Sequence, residues 1–138
     1  MEIKNPSNDE IKKVLLESKS IAVVGLSDNP ARTSYQISKI MQDKGYKIIP
    51  VNPQVKEVLG EKAYDSLKDV PNSIDIINVF RRSEHLPAIA EEAATTKATI
   101  FWAQLGVSNE EAYAYLKERN FTVIMNNCIK VSHSMLIG

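Results

Sequence analysis

The chain has 138 residues, 17 basic and 17 acidic side chains and no formal net charge. That length fits one domain able to bury a core without disulfides or structural metal. The charge balance argues against a sequence-blind nucleic-acid binder, which carries a basic excess, so any anion site has to be local.

Met1-Glu2-Ile3-Lys4-Asn5 lacks the apolar run of a secretion signal, and no apolar stretch nears the roughly 20 residues that span a bilayer. Cys128 is the only cysteine. An internal disulfide is therefore excluded, no cysteine–histidine cluster suggests structural zinc, and a reducing compartment fits. The expectation is a cytoplasmic protein, monomer or homodimer, engaging neither membrane nor nucleic acid.

Ser7-Asn8-Asp9-Glu10 is a capping box, and Ile11, Val14 and Leu15 give the helix that follows one apolar stripe. Residues 1–19 thus read as an N-terminal helix packing on a domain that spans 1–138. Residues 20–25 form a continuous apolar run ending in glycine, which predicts a strand buried on both faces. After a polar loop, Thr33 or Ser34 caps a helix with Ile37, Ile40 and Met41 inward, and Gly45 closes it. Residues 46–51 are a second strand, stopped by Asn52-Pro53. Residues 54–62 show little periodicity. Ala63-Tyr64 reads as a short third strand, followed by a helical turn capped by Ser66. Residues 74–80 are a buried-type strand. Ser83 caps a helix with Pro87 in its first turn, where proline costs least. Residues 98–103 are a strand, Ser108 opens a second capping box, residues 121–125 are the last strand, and a tail runs from 126 to 138.

Apolar strands alternating with amphipathic helices mean an α/β protein. The expected fold is a Rossmann-like, doubly wound parallel sheet in three layers, with helices on both faces. Ligands of such sheets bind beyond the carboxyl ends of the strands, where the winding reverses. The search narrows to the loops after the strands.

The loop 25–34 is the most informative of these. Gly25 lets the backbone turn tightly, and the next helix presents free amides and the positive end of its dipole. Ser27, Thr33 and Ser34 add hydroxyls, and Arg32 adds a fork suited to phosphate. The plainer reading is an ordinary strand-to-helix loop. The loop has one glycine rather than the three of the dinucleotide fingerprint, and the second strand ends in Asn52 where an NAD site carries an acid. Both count against a dehydrogenase. Asn52 can bond a ribose or an adenine edge, or simply end the strand. Of Arg81 and Arg82, Arg81 is nearer the strand end and is the one expected to face a ligand. Gln104 and Gly106 form a turn whose amides can meet one, and Lys130 suits a phosphate. Cys128 and His133 invite a nucleophile pair, but five residues separate them and no acid stands by to orient the histidine.

The residues then carry a resemblance. Val23-Val24-Gly25-Leu26-Ser27 with Pro30, Arg32 and Ser34, Ile49-Pro50-Val51-Asn52-Pro53, Val58-Leu59-Gly60-Glu61, Val79-Phe80-Arg81-Arg82, Trp102-Ala103-Gln104-Leu105-Gly106 and the segment from Asn127 to His133 occur in order over about residues 10–135. Together they resemble the small stand-alone, YccU-like CoA-binding domain proteins of bacteria and archaea, similar in fold to the N-terminal domain of the succinyl-CoA synthetase α subunit. The resemblance implies a strand order of 3-2-1-4-5-6, with Ala63-Tyr64 as the third strand and a crevice between strands one and four. It implies that Gly25, Ser27, Arg32 and Ser34 hold the phosphates of coenzyme A. Asn52, Pro53 and Lys56 then flank its adenosine, and Val79, Phe80 and Arg81 line the opposite wall. Residues 1–138 contain no counterpart of the synthetase's second domain, and neither His85 nor His133 matches its phosphorylated histidine.

The leading expectation is therefore non-enzymatic binding of coenzyme A or an acyl-CoA, with Arg32, Lys56, Arg81 and Lys130 against its charge. The alternatives are an NAD(P)-binding oxidoreductase and a small CoA-dependent transferase. A narrower expectation is a mixed disulfide between Cys128 and the pantetheine thiol, the plainer one an inert, partly buried cysteine.

Overall fold

The first helix, α1 (Asn8–Glu17), starts where its capping box predicts, with Ser7 Oγ accepting from Glu10 N–H at 3.2 Å. Its Ile11 and Leu15 are buried against the sheet. This computed structural model describes residues 2–138. Strand β1 (Ser20–Val24) is buried at every position and leads through the polar loop to α2 (Thr33–Asp43). Strand β2 (Lys47–Val51) pairs parallel with β1.

The chain then makes a small antiparallel hairpin, β3 (Glu57–Val58) and β4 (Glu61–Lys62). Leu59 (φ 55°) and Gly60 (φ 77°) form its two-residue turn. Both turn residues are left-handed, as the strand twist requires. Past a 3-10 turn at Leu67–Asp69, β5 (Ile76–Val79) returns beside β1. A 3-10 turn at Ser83–His85 runs into α3 (Leu86–Ala93), followed by β6 (Ile100–Ala103), α4 (Glu110–Glu118), β7 (Thr122–Ile124) and α5 (Ile129–Leu136).

The five long strands lie in the order β2-β1-β5-β6-β7, all parallel. Side chains alternate across the sheet, as strand geometry demands. Ala22, Val24, Ile77, Val79 and Phe101 join α3 and α4 in one core, while Ile21, Val23, Ile76 and Trp102 join α1, α2 and α5 in the other. The chain winds one way from β1 and the other way from β5, so the reversal falls between those two neighbours, as expected. At the opposite end, Asp75 Oδ2 accepts from Lys19 and Ser20 N–H at 2.7 and 3.1 Å. That clamp ties the amino ends of β1 and β5 and leaves their carboxyl ends to the loops.

Five expectations are corrected. The third strand is a single parallel bridge between Val51 and Tyr64, because the chain before it folds on itself as the hairpin and Ser66 already starts a turn. The cap of α2 is Arg32, not Thr33 or Ser34, and that of α4 is Asn109, not Ser108. Ser83 does not cap α3; its hydroxyl accepts from Ser108 N–H at 3.0 Å and ties two loops together. The tail contains α5, whose buried stripe includes His133. A histidine on the inward face hides the apolar period that would have revealed the helix.

Candidate functional site

The carboxyl ends of β1 and β5 meet at Gly25. Its φ is 88°, and a methyl group placed on it would lie 2.6 Å from the Phe80 carbonyl oxygen. Only glycine allows that approach. Gly25 N–H donates to Val51 at 2.8 Å and Phe80 N–H to Val24 at 2.9 Å, so the strand ends are pinned. The loop beyond is braced from within. Ser34 Oγ accepts from Ser27 N–H, Ser27 Oγ from Asn29 N–H and Asn29 Oδ1 from Ala31 N–H, all at 2.9–3.0 Å. Asn52 Nδ2 donates to the Leu26 carbonyl at 3.0 Å, and its Oδ1 accepts from Gln54 N–H at 2.9 Å.

The helices differ in how they begin. Helices α1 and α4 carry side-chain caps, Ser7 on Glu10 and Asn109 on Ala112. At this end, Arg32 before α2 and Cys128 before α5 make no cap bond. The first main-chain donor of α2 that is met is Gln36, bonded to the Arg32 carbonyl at 3.1 Å. Among the described residues, the N–H groups of Thr33, Ser34 and Tyr35 have no protein partner. First-turn donors left open in this way, at the positive end of a helix, suit an anion.

Two clefts flank the Gly25–Phe80 contact. The larger, about 720 Å³, lies on the side of α2 and α5 and is lined by Thr33, Ile37, Phe80, Gln104, Leu105 and Cys128, with Ser83, Gly106 and Val107 at its edge. The smaller, about 480 Å³, is lined by Gly25, Asn52, Pro53, Ser66, Ile89 and Glu92. Arg81 borders both, its Cδ 3.0 Å from the methyl position of Gly25. Among the described residues Arg81 pairs with no carboxylate, whereas the exposed Arg82 has Glu84 at 3.4 Å. The larger cleft is lined by Arg81 and Arg82 and by no acid; the smaller includes Asp65 and Glu92. Negative charge is therefore better placed on the side of α2.

Beneath the larger cleft lies a polar network inside the sheet. Asn78 Nδ2 donates to the Trp102 carbonyl at 3.3 Å and to Gln104 Oε1 at 3.1 Å. That Oε1 also accepts from Ile129 N–H at 3.0 Å, at the start of α5. Trp102 is core, as read from the sequence, and its Nε1 donates to the Asn127 carbonyl at 2.9 Å. The network fixes where α5 begins, and hence where Cys128 sits.

Of the residues expected at the site, Gly25, Asn52, Pro53, Phe80, Arg81, Gln104 and Gly106 border the clefts. Leu26 and Val79 line neither cleft. Both side chains are 0% exposed and belong to the two cores, because a residue in or beside a parallel strand is covered by the helices. Ser27 and Ser34 shape the loop, Pro30 and Arg32 are exposed on it, Lys56 precedes the hairpin, and Lys130 lies in the first turn of α5. None of these six lines either cleft. Thr33, whose hydroxyl the loop offers, lines the larger cleft, and so do Ile37, Leu105 and Val107, which the sequence does not mark as ligand-facing, and Arg82, which it ranks behind Arg81. Asn78 was missed too, although one polar residue in an otherwise apolar parallel strand is itself a signal.

The suspected Cys128–His133 pair is not assembled. Cys128 borders the cleft, while His133 is buried edge-on to Tyr46, ring centroids 5.9 Å apart. Burial, and then the charge of Lys44, hold the His133 imidazole below its ordinary pKa. Burial raises that of Tyr46, whose hydroxyl donates to the Leu15 carbonyl.

Comparison with known proteins is consistent over nearly the whole chain. A family model described as CoA binding domain matches residues 19–134. A Bacillus subtilis protein, uncharacterized protein YneT, is 61% identical over 133 residues, covering 96% of this chain and 98% of that one. An ADP-forming acetate–CoA ligase of Methanocaldococcus jannaschii is 30% identical over 130 residues, which is 88% of this chain but 18% of the ligase. Among solved structures, a hypothetical protein from Pyrococcus horikoshii OT3 superposes with a TM-score of 0.93 at 32% identity, covering 100% of both chains.

Proposed function

The chain belongs to the CoA-binding domain family, and from that premise we propose that it binds coenzyme A or an acyl-CoA reversibly at the carboxyl ends of β1 and β5, without catalysing a reaction on it. The observation that carries this reading is the open first turn of α2, whose Thr33 lines an acid-free cleft beside Arg81. Open N–H donors and an unpaired guanidinium await phosphate oxygens. In this reading the pyrophosphate lies at the first turn of α2, within reach of Arg81 and Arg32. The adenosine lies over Asn52 and Pro53 in the smaller cleft, with Lys56 on the neighbouring hairpin. The pantetheine arm runs across Phe80 into the larger cleft. Apolar Ile37, Phe80, Leu105 and Val107 suit that arm and an acyl group at its end.

The absence of catalysis is proposed on the same geometry. A general acid or base has to reach the reacting atom. The carboxylates at the site, Asp65 and Glu92, border only the smaller cleft, and Glu92 Oε1 already accepts from Leu67 N–H at 3.2 Å. Ligand-induced thermal shift tests the reading. Coenzyme A at a hundred times its Kd stabilises the native state by about 2.7 kcal/mol, which raises the Tm of a chain this size by roughly 10 °C. Dephospho-CoA and NAD raise it less. No shift with millimolar coenzyme A refutes the binding, and steady turnover of an acyl-CoA refutes the non-enzymatic part.

A further inference from the structure

The larger cleft has a sulfur at its border. Cys128 is half-buried, unpaired and the N-cap of α5. A cysteine in such a place is ordinarily packing. A second feature points to a ligand. Gln104 is 5% exposed, and its orientation is settled by a main-chain donor, since Oε1 accepts from Ile129 N–H at 3.0 Å as well as from Asn78 at 3.1 Å. The end left over is Nε2, and among the described residues it has no acceptor. It is not sealed in, because the sealed side-chain atoms without partners are Ser38 Oγ and His133 Nδ1. Gln104 borders the larger cleft, so these N–H groups face it. A carbonyl oxygen entering the cleft can accept from them in place of solvent. The pantetheine arm has amide carbonyls along its length and sulfur at its tip. Leu105, 70% exposed at the cleft mouth, offers apolar cover over such an arm.

Resting on the coenzyme A reading above, we infer that Cys128 undergoes thiol–disulfide exchange with the disulfide of oxidised coenzyme A. The Cys128 thiolate attacks one sulfur of that disulfide. A new S–S bond joins Cys128 to one coenzyme A, the original S–S bond breaks, and the second coenzyme A leaves as a thiolate that takes up the proton Cys128 gave to water. One disulfide is consumed and one is formed, so no other oxidant is needed. Attack by a free thiol on the mixed disulfide reverses the step. The protein thereby holds coenzyme A covalently under oxidising conditions and releases it under reducing ones. Gln104 is a positioning residue that holds the arm while the sulfurs meet.

The test follows adduct formation by intact-protein mass spectrometry. Full-length protein is incubated separately with coenzyme A disulfide and with glutathione disulfide, at equal concentration. The expected result is one coenzyme A per chain, removed by dithiothreitol, absent in Cys128→Ser, and formed at least roughly tenfold faster than the glutathione adduct, because binding precedes exchange. Gln104→Glu keeps Oε1 and replaces the free donor by an acceptor. It slows the coenzyme A adduct at least about tenfold more than it slows the glutathione adduct. Equal rates with the two disulfides overturn the inference, as does an adduct that survives in Cys128→Ser. No adduct, with coenzyme A still raising the Tm, overturns exchange and leaves binding intact. Neither adduct nor thermal shift removes both.

Discussion

Replacing Gly25 by alanine tests the geometry on which the whole site rests. At φ 88° an L-residue pays about 1–2 kcal/mol for the left-handed backbone. The added methyl would also stand 2.6 Å from the Phe80 carbonyl oxygen, about 0.7 Å inside an ordinary carbon–oxygen approach of about 3.3 Å. Arg81 Cδ, 3.0 Å away, is the flexible end of a side chain and can move. The Phe80 carbonyl cannot, because Phe80 N–H is bonded to Val24 at 2.9 Å and Gly25 N–H to Val51 at 2.8 Å. Forcing the strands apart adds about 1–3 kcal/mol, for a loss near 3 kcal/mol, or roughly 10 °C in Tm. Gly60 supplies the control. Its φ is 77° and nothing lies within 4 Å of its methyl position, so Gly60→Ala carries the backbone cost alone, about 1–2 kcal/mol. Urea denaturation of both variants separates the two terms. The close-approach argument is refuted if Gly25→Ala loses no more stability than Gly60→Ala. Gly25→Ala also moves Arg81, so its coenzyme A affinity falls about tenfold or more, while that of Gly60→Ala is unchanged.

Arg81→Ala removes one charge-assisted contact worth about 1.5–3 kcal/mol, so calorimetry should show coenzyme A Kd rising at least about tenfold. Arg82→Ala, whose partner is Glu84 in open solvent, changes Kd by no more than about threefold. Asn78→Asp sets a carboxylate against Gln104 Oε1 and the Trp102 carbonyl with no donor among them. It costs at least about 3 kcal/mol by urea denaturation, whereas Asn78→Val costs about 1–2 kcal/mol. His133 is held neutral by burial and by Lys44. Its pKa is lower in the folded chain than the ordinary value of about 6.5, so the unfolded chain binds the proton first. The stability it contributes is complete above about pH 6.5 and declines as pH falls toward the lowered value. A Tm series between about pH 7 and pH 5 therefore slopes more steeply in the native chain than in His133→Asn; equal slopes refute the assignment.

Local pattern was enough for much of this fold. The apolar runs of β1, β2, β5, β6 and β7 were legible because a strand covered on both faces has no polar side to show. The start of α1 was legible because Ser7 and Glu10 meet within one turn. The same holds for Gly25 and Arg81, each of which closes a strand and so marks the ligand end of a parallel sheet. The ordered motifs identified the family, since together they span nearly the whole chain.

Other features depended on partners far away in sequence. Ser34 read as a helix cap, yet its hydroxyl accepts from Ser27 seven residues earlier. Ser83 read as a cap, yet it bonds Ser108. A hydroxyl has the same local propensity in both roles, and only packing chooses between them. Leu26 and Val79 sit inside recognisable motifs, but helix packing turned both side chains into the cores. The larger cleft needed the most from tertiary structure. Thr33, Arg81, Gln104 and Cys128 come from four separate strand-to-helix junctions, and no spacing rule links them. Asn78 has to find Gln104 across two strands, and Gln104 has to find Ile129 N–H, before Cys128 is set at the cleft. The alternation of strands and helices, the glycine turn and the family are legible from residue order, because each is written in neighbouring residues or in ordered motifs. The walls of the cleft and the free donors facing it were decided only when the parallel sheet brought distant loops to one edge.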